Sequence, residues 1–514
     1  MIALRTLLTV MNVKECSTDI SRYGALIIES LCYHSGEATA GSMFFCLVGK
    51  TSNGHSYAAA AYRQGCRVFV VEREVSLPKD AICLTVLNAR AALADCAAEF
   101  YGHPERSMRL IGLTGTKGKT TTALLIRQLL CGAGIPTGYI GTNGVDYRDA
   151  NGDVHWETMN STPESLHIYR YLRLMLDAGV TVCALEVSSQ ALWMERVRGL
   201  VFDTTLFTNL SRDHIGGVEH PDMAHYRACK KRLFSNYPSK AILVNGDDAE
   251  SAYMVSELYC DGGEPASLLH FGLIARDAQW LAENIRPTWR RGRFGVEFEV
   301  LHAGKRILGQ WFLPLPGNFN VQNALAALCV VCERFGVSPE LARWLLSDVT
   351  VAGRFETVVH PGVPDLTFVI DYAHNGVSLT SILDSLHAYE PRRLIALFGS
   401  VGGRTKERRH DLALAAATRC DLCILTSDNP ACEDPTSILR DIDAAFPPGS
   451  CPRELIADRA EAIRHAVELA RPGDIILLAG KGHETYQLVG TKRIPFCERS
   501  ILWEALEERA GARV

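Results

Sequence analysis

Short apolar runs and helix-like stretches alternate along the first ninety residues. "MFFCLV", "RVFVVE" and "AICLTV" are each long enough for one buried strand, and "SYAAAAYRQG" between them has helical spacing. Residues from about Met43 to Val86 therefore predict a small α/β unit. The opening "MIALRTLLTVMNV" is apolar but carries Arg5 and no small-residue cleavage site, so it reads as a helix and not as an export signal. "FYGHPERSMRL" (100–110) reads as a linker. A second block runs through strands "RLIGLTG", "TVCALEV" (181–187), "TTLFTNL" (204–210) and "AILVNGDD" (241–248), and a helix from Asn320 to Phe335 closes it. A third begins near Gly353 with strands "TFVIDYA", "LIALFGS", "CDLCILTS" and "DIILLAGKG". Helical segments separate these strands, which implies parallel connections. Polar or glycine residues end each strand, where open α/β sheets take ligands.

The 514 residues fit about three domains of ordinary size. A net charge of −5 gives no polyanion bias, so nucleic acid is not an expected partner. No apolar run reaches the roughly 18–20 residues that span a bilayer, so no membrane contact is expected and a cytoplasmic location is. Seventeen cysteines, an odd number, sit mostly inside apolar runs, as reduced buried thiols do. Cys329/Cys332 and Cys420/Cys423 have CxxC spacing. Neither pair has the hydrophilic surroundings of a zinc knuckle, and core packing is the expected role.

"GLTGTKGKTTTALLI" is the strongest local signal. A buried strand runs into Gly115, Thr116, Lys117, Gly118, Lys119, Thr120 and Thr121, then a helix. Glycines let backbone N–H groups turn around phosphate oxygens, and the helix N-terminus adds partial positive charge. Lys119 should reach the β/γ-phosphates and Thr120 should ligate Mg2+. The glycines are closer together than in the common phosphate loop. The expected fold class is α/β with three domains: a small N-terminal α/β domain (1–104), a central P-loop ATPase-like doubly wound domain (105–348) and a C-terminal Rossmann-like domain (349–514).

The compact Gly-Thr-x-Gly-Lys-Thr loop resembles that of the Mur ligase family. "STPES", "LEVSSQAL", "FTNLSRDHIGG", "HYRACKKRLF", "PGNFNVQNALAA", "GRFE", "IDYAHN", "DNPA" and "AGKGHETYQ" follow in that family's order, from Gly115 to Gln487. The resemblance implies an ATP-dependent ligase of peptidoglycan precursor synthesis, with ATP and Mg2+ as cofactors. It is greatest to the branch that extends UDP-N-acetylmuramoyl-L-alanyl-D-glutamate with a free amino acid, through an acyl phosphate. A monomer is expected. A folylpolyglutamate-type ligase of the same fold and a nucleotide-binding scaffold without catalysis are the rival readings. The joint presence of Lys119, Glu186, His214 and Lys230 argues against the scaffold.

By resemblance, Glu186 and His214 join Thr120 around Mg2+. The lesser alternative for Glu186 is a helix N-cap or a salt bridge. Asp213 would orient His214 or the ribose. Lys230 matches a lysine that the family carbamylates with CO2 to N6-carboxylysine, which turns a cation into an anion beside the triphosphate. It requires a depressed pKa. Lys231 and Arg232 adjoin it, so composition alone suggests a solvated basic face. Tyr226, Lys230 and Phe234 nevertheless share one helical face. Asn320 would pack on adenine and His374 would contact ATP from the third domain. Arg354 and Glu356 would sit at a hinge whose closure excludes water. Ser161, Thr162, Ser188 and Arg196 would hold the donor's peptide and sugar.

The uridine-binding pattern departs from the family. Its Asp-Ser-Arg stands as "YHSGE", which leaves Ser35 with Gly36 at the arginine position, and "TSNGH" replaces its Asp-Gly-His. Met194 and Phe355 also differ from the usual residues. In the third domain, by resemblance, Arg404 would clamp the α-carboxylate of the incoming amino acid, Asp428 and Glu484 would supply negative charge for its ammonium group, and Asn429 and Gly480 would also line the amino-acid site. An alternative use of Arg404, Lys406, Arg408 and Arg409 is phosphate binding. Where the diaminopimelate-adding enzymes have Asp-Asn-Pro-Arg, this chain has Ala431. The missing cation favours L-lysine as the expected amine, with ornithine or meso-diaminopimelate as alternatives.

Overall fold

The computed structural model describes residues 1–49, 52–213, 215–216, 219–258, 266–275, 277–290, 292–403 and 406–511. They divide into two compact units, Met1–Leu281 with Leu325–Ala342, and Ala282–Ala324 with Arg343–Val514.

The apolar opening forms helix α1 (Leu4–Val10), which buries Leu4 and Leu7. Strands β1 (Val13–Cys16), β2 (Ser30–Cys32), β3 (Ser42–Phe45), β4 (Val68–Val71) and β5 (Ile82–Val86) make a five-stranded sheet in the order β1-β5-β4-β3-β2. Only β1 runs antiparallel to its neighbour. Helix α2 (Ala89–Phe100) follows, with Asn88 as N-cap accepting from the Arg90 and Ala91 amides.

The second sheet surrounds β6 (Arg109–Thr114), whose last five residues are buried. Strands β7 (Thr137–Gly141), β10 (Val182–Glu186), β11 (Phe202–Phe207), β12 (Ser239–Asn245) and β13 (Ser267–Gly272) join it in parallel, in the order β7-β10-β6-β11-β12-β13. An antiparallel extension, β8 (Gly144–Asp149) and β9 (Gly152–Trp156), covers the β7 edge. The helices of this block include α3 (Lys119–Gly132), α4 (Ser165–Asp177), α5 (Ser189–Trp193) and α6 (Met223–Ser235). One apolar cluster runs from Leu4 through Leu93, Leu172 and Phe202 to Met254, so the first two sheets share a continuous core.

β14 (Trp280–Arg290) begins in the first unit and its chain continues into the second. There, β15 (Arg293–His302) and β16 (Lys305–Leu313) form an antiparallel hairpin. Its turn residues Ala303 and Gly304 both have positive φ, +49° and +74°, which matches the right-handed twist of the strands. Helix α7 (Asn318–Cys329) passes into one π-helical stretch, Val330–Arg334.

The third sheet comprises β17 (Glu356–Val358), β18 (Thr367–Asp371), β19 (Arg393–Phe398), β20 (Leu422–Leu425), β21 (Arg453–Leu455) and β22 (Asp474–Ala479), in the order β17-β18-β22-β19-β20-β21. All neighbours are parallel except β17 with β18. Helices α8 (Lys406–Ala417), α9 (Arg459–Leu469) and α10 (Glu498–Gly511) belong to this block, as does a hairpin of β23 (Tyr486–Val489) and β24 (Lys492–Pro495). Three α/β domains are present, as the apolar pattern predicts. No helix among the described residues is long and apolar enough to cross a membrane.

Candidate active site

The phosphate loop joins β6 to α3 and is clasped by the end of β11. Gly115 has φ +151°, and a Cβ there would overlap the Thr208 hydroxyl. The Thr208 hydroxyl donates to the Lys117 carbonyl at 2.7 Å. Asn209 Nδ2 donates to the same oxygen at 3.1 Å, and Asn209 Oδ1 accepts from the Lys117 amide at 2.9 Å. Gly118 starts α3 in the left-handed region, and Thr120 and Thr121 are buried in the first turn. The Thr116 and Tyr226 hydroxyls lie 3.1 Å apart, which ties the loop to α6. Lys117 pairs with Asp213 at 3.3 Å.

Two amines converge on one carbonyl. Lys119 Nζ donates to the Gly115 oxygen at 2.8 Å and to the Thr116 oxygen at 3.1 Å. Lys230 Nζ donates to the same Gly115 oxygen at 2.7 Å. Lys230 is 1% exposed and its ammonium lies 4.5 Å from the Tyr226 ring centroid. Burial, reinforced by the Lys119 charge, holds the Lys230 amine well below the ordinary lysine range. The face shared by Tyr226, Lys230 and Phe234 is buried, so α6 does not present Lys230 on a solvated surface. Lys231 is engaged elsewhere, with Glu257 at 2.9 Å and the Tyr253 ring.

Glu186 ends β10 and is fully buried. Its Oε1 accepts from the Tyr139 hydroxyl at 2.6 Å and the Thr142 amide at 3.0 Å, and Oε2 accepts from the Thr142 hydroxyl at 3.0 Å. The N-cap of α5 is Ser188, whose hydroxyl accepts from the Ala191 amide at 3.1 Å. No cation of the described residues pairs with Glu186, so neither bland reading of it holds. A buried carboxylate ringed by neutral donors fits a divalent cation. His214 lies outside the described residues.

The expected donor-binding residues gather after β10. The Thr162 hydroxyl donates to the Glu186 carbonyl at 2.9 Å and accepts from the Ser188 amide at 3.0 Å, while Ser161 is half-buried beside it. Arg196 is buried; its Nε donates to Glu164 at 2.9 Å and its Nη1 to the Thr162 carbonyl at 3.0 Å. Glu164 also accepts from Arg90 of α2 at 2.6 Å. Arg196 thus orients the 161–164 segment through Glu164. Ser35 is half-buried in a short turn after β2. In "TSNGH", Asn53 caps the turn, accepting from the His55 amide at 3.1 Å and contacting His55 Nδ1 at 2.9 Å.

The second unit carries the other expected residues. Asn320 is buried at the start of α7; its Nδ2 donates to the Pro316 carbonyl at 2.7 Å and its Oδ1 accepts from Asn323 at 3.2 Å. His374 Nδ1 donates to the Tyr372 carbonyl at 2.8 Å. Phe355 is buried at φ +48° and donates its amide to Asp371 at 2.7 Å. Arg354 stacks over the Tyr372 ring, and Glu356 accepts from the Gly353 amide at 3.0 Å.

Asp428 and Asn429 follow β20 and are buried. Gly480 closes β22 beside them, where a Cβ would meet Asp428 Oδ2 at 3.0 Å. Lys481, fully buried, donates to Glu484 at 2.6 Å and to Asn429 Oδ1 at 3.0 Å. Asn429 Nδ2 donates to Glu484 at 2.9 Å. Burial pushes the Asp428 carboxyl up, opposed by Arg459 and Lys481. Asp428, Asn429, Gly480 and Glu484 are therefore brought together. Arg404 lies outside the described residues. Of the cations considered for phosphate, Arg409 is buried between Glu433 and Asp441 at 2.6 and 2.7 Å, and Lys406 pairs with Asp441.

Three features went unassigned from sequence. Lys481 sits within "AGKGHETYQ" and organises the acidic cluster. Arg459 donates to Glu498, the Ser427 carbonyl and the Ala479 carbonyl, and so bridges the ends of β20 and β22. Thr208 and Asn209 clasp the phosphate loop. A strand end followed by Thr-Asn was the available signal for the last pair. The described cysteines are free thiols, and Cys329 and Cys423 are buried.

The Mur ligase middle domain matches residues 113–331, and the Mur ligase, glutamate ligase domain matches residues 353–482. A UDP-N-acetylmuramoyl-L-alanyl-D-glutamate–2,6-diaminopimelate ligase of Caldanaerobacter subterraneus subsp. tengcongensis is 37% identical over 481 residues, covering 94% of this chain and 95% of that protein. The ligase of the same name from Clostridium perfringens is 32% identical, with coverages of 93% and 95%. A solved structure of that name superposes with a TM-score of 0.66 at 25% identity and covers 99% of both chains. MurF ligase of Thermotoga maritima in complex with ADP shares the fold at a TM-score of 0.60 and 16% identity, covering 95% of this chain and 99% of its own. Two domain matches and relatives alike over nearly the whole length lead to one conclusion: the chain belongs to the Mur ligase family, ATP-dependent enzymes that form amide bonds in peptidoglycan synthesis.

Proposed function

We propose that this chain joins an amino acid to UDP-N-acetylmuramoyl-L-alanyl-D-glutamate. The observation that carries the reading is the pair of lysine amines on the Gly115 carbonyl at the head of α3. Transfer of the ATP γ-phosphoryl group to a donor carboxylate yields ADP and an acyl phosphate. The amine then attacks the acyl carbon, phosphate leaves, and the nitrogen loses a proton to give the amide. Lys119, at the head of α3, would meet the phosphoryl charge as it builds. Glu186, Thr120 and His214 would hold Mg2+, which supplies charge neutralisation at the phosphates. A Lys230 amine whose ammonium form burial disfavours suits addition to CO2: the neutral amine forms the N–C bond and releases one proton to leave an anionic carbamate. We assign the uridine end of the donor to residues 1–104, ATP to 105–348 and the incoming amino acid to 349–514.

Relatives named for 2,6-diaminopimelate favour that amino acid over lysine. One observation supports lysine: Ala431 offers no cation for a distal carboxylate. Its backbone is stitched to β23, donating to the Leu488 carbonyl at 2.9 Å and accepting from the Gly490 amide at 2.7 Å. On that same hairpin Arg493 pairs in register with Leu488 and lies 4.3 Å from the Tyr486 ring centroid, and we assign it the missing clamp. The test is ADP release with the UDP-linked dipeptide and each of meso-diaminopimelate, lysine and ornithine, with folates as contrasting acids. Turnover confined to the dipeptide and greatest with meso-diaminopimelate is expected. Preference for lysine would overturn the acceptor assignment, and turnover only with folates would overturn the donor.

A further inference from the structure

We propose that His220, His225 and Cys229 form a site for a transition-metal ion of the zinc type, with ligands distinct from those assigned to Mg2+. His225 and Cys229 are four residues apart on α6 and so share a face. Cys229 Sγ lies 3.7 Å from His225 Nδ1. His220 enters from the segment ahead of the helix, with its Nδ1 2.9 Å from His225 Nδ1. All three candidate ligand atoms lie within 4.8 Å of one another. A tetrahedral ion with metal–nitrogen bonds near 2.05 Å and metal–sulfur bonds near 2.3 Å needs N–N edges of about 3.3 Å and N–S edges of about 3.6 Å. The His220–His225 and His225–Cys229 separations differ from those edges by a few tenths of an ångström, and the third pair lies within 4.8 Å, so one side-chain adjustment completes the triangle.

The surroundings fit ligation. Ser189 Oγ, itself buried, holds His220 Nε2 at 2.9 Å, which leaves Nδ1 as the inward nitrogen. The Trp193 ring lies against both imidazoles, edge-on to His225 at 5.2 Å. His220 and Cys229 are 2% and 1% exposed. Two imidazoles and a thiolate select zinc or cobalt over magnesium, and binding would release the thiol proton. The fourth position is left to water or an anion. Cys229 directly precedes Lys230, so the ion would pin the segment before α6 to the turn that presents the lysine.

The test is titration of the purified full chain with Co2+, then Zn2+, read by absorption and melting temperature. The wild type should take one tight equivalent of Co2+ with a thiolate-to-cobalt charge-transfer band and intense tetrahedral ligand-field bands, and Zn2+ should displace it and raise Tm by at least about 2 °C. Cys229→Ala should abolish the charge-transfer band, and His225→Gln should weaken binding at least tenfold, both with unchanged circular dichroism. Cys423→Ala should leave the spectrum intact. A wild-type spectrum that stays that of the aqueous ion overturns the proposal. So does a band that survives in the folded Cys229→Ala and His225→Gln proteins, or one lost in Cys423→Ala instead.

Discussion

Lys230 illustrates how one side chain's environment sets its chemistry. Its burial and the Lys119 charge both disfavour the ammonium form, so the folded protein binds fewer protons there than the unfolded chain. Stability should therefore rise with pH between its depressed folded value and the ordinary lysine value of about 10.4, and fall as pH drops through that window. In CO2-free buffer, denaturant midpoints of the wild type should gain on those of Lys230→Met as pH rises toward the ordinary lysine value of about 10.4. A constant difference would show that the amine titrates normally. Lys230→Ala should lose most activity and regain part of it with added short-chain carboxylic acids; normal turnover would remove the lysine from the mechanism. At the acceptor site, Arg493→Ala should lower kcat/KM for meso-diaminopimelate about tenfold, as for loss of one charge-assisted pair, and leave lysine little changed. Equal losses with both amines would mean a general packing role.

The phosphate loop is an element held by its neighbours. Its glycine spacing, its lysine and the helix after it are legible because they are contiguous and each residue type has a local reason. The Thr208–Asn209 clasp is not, because it comes from another strand and nothing in "FTNL" states what it faces. Asn209→Ala removes both side-chain bonds to Lys117. It should raise KM for ATP about tenfold, at about 1 kcal/mol or less per bond, with far-ultraviolet circular dichroism unchanged. An unaltered KM would make the clasp dispensable. The antiparallel extension β8–β9 and the β15–β16 hairpin were likewise absent from the apolar-run reading. β8 mixes buried and exposed positions, β9 is half-buried or exposed throughout, and β15 interleaves apolar with charged residues, so none carries a continuous hydrophobic run.

At the scale of the molecule, the first two sheets act as one body, through a shared core and a charge triad. Glu164 stands between Arg90 and Arg196, all three largely removed from solvent. Glu164→Ala would leave two cations without their partner, so a loss of about 3 kcal/mol is expected from the guanidinium chloride midpoint. Glu164→Gln should recover part of it, and a change below about 0.5 kcal/mol would show the triad to be solvated. The apolar pattern located three α/β blocks. It did not show that the first two share a core, because that depends on which faces of α2 and α4 meet.

The sequence by itself determined the central strands of the parallel sheets, the phosphate loop and the order of motifs that mark the family, since these rest on chemistry between residues a few positions apart; the strands Ser30–Cys32, Thr137–Gly141, Ser267–Gly272 and Arg453–Leu455 were not among them. Helical register already separates Lys230 from Lys231, but tertiary structure alone decided that its amine meets the Gly115 carbonyl, 115 positions away in the chain. It also decided that Glu186 is buried without a cation, that Lys481 centres the acidic cluster, and that His220, His225 and Cys229 converge. The physical reason is common to all four: a side chain's charge, desolvation and partners are set by whatever packs around it, and that neighbourhood is assembled from distant segments.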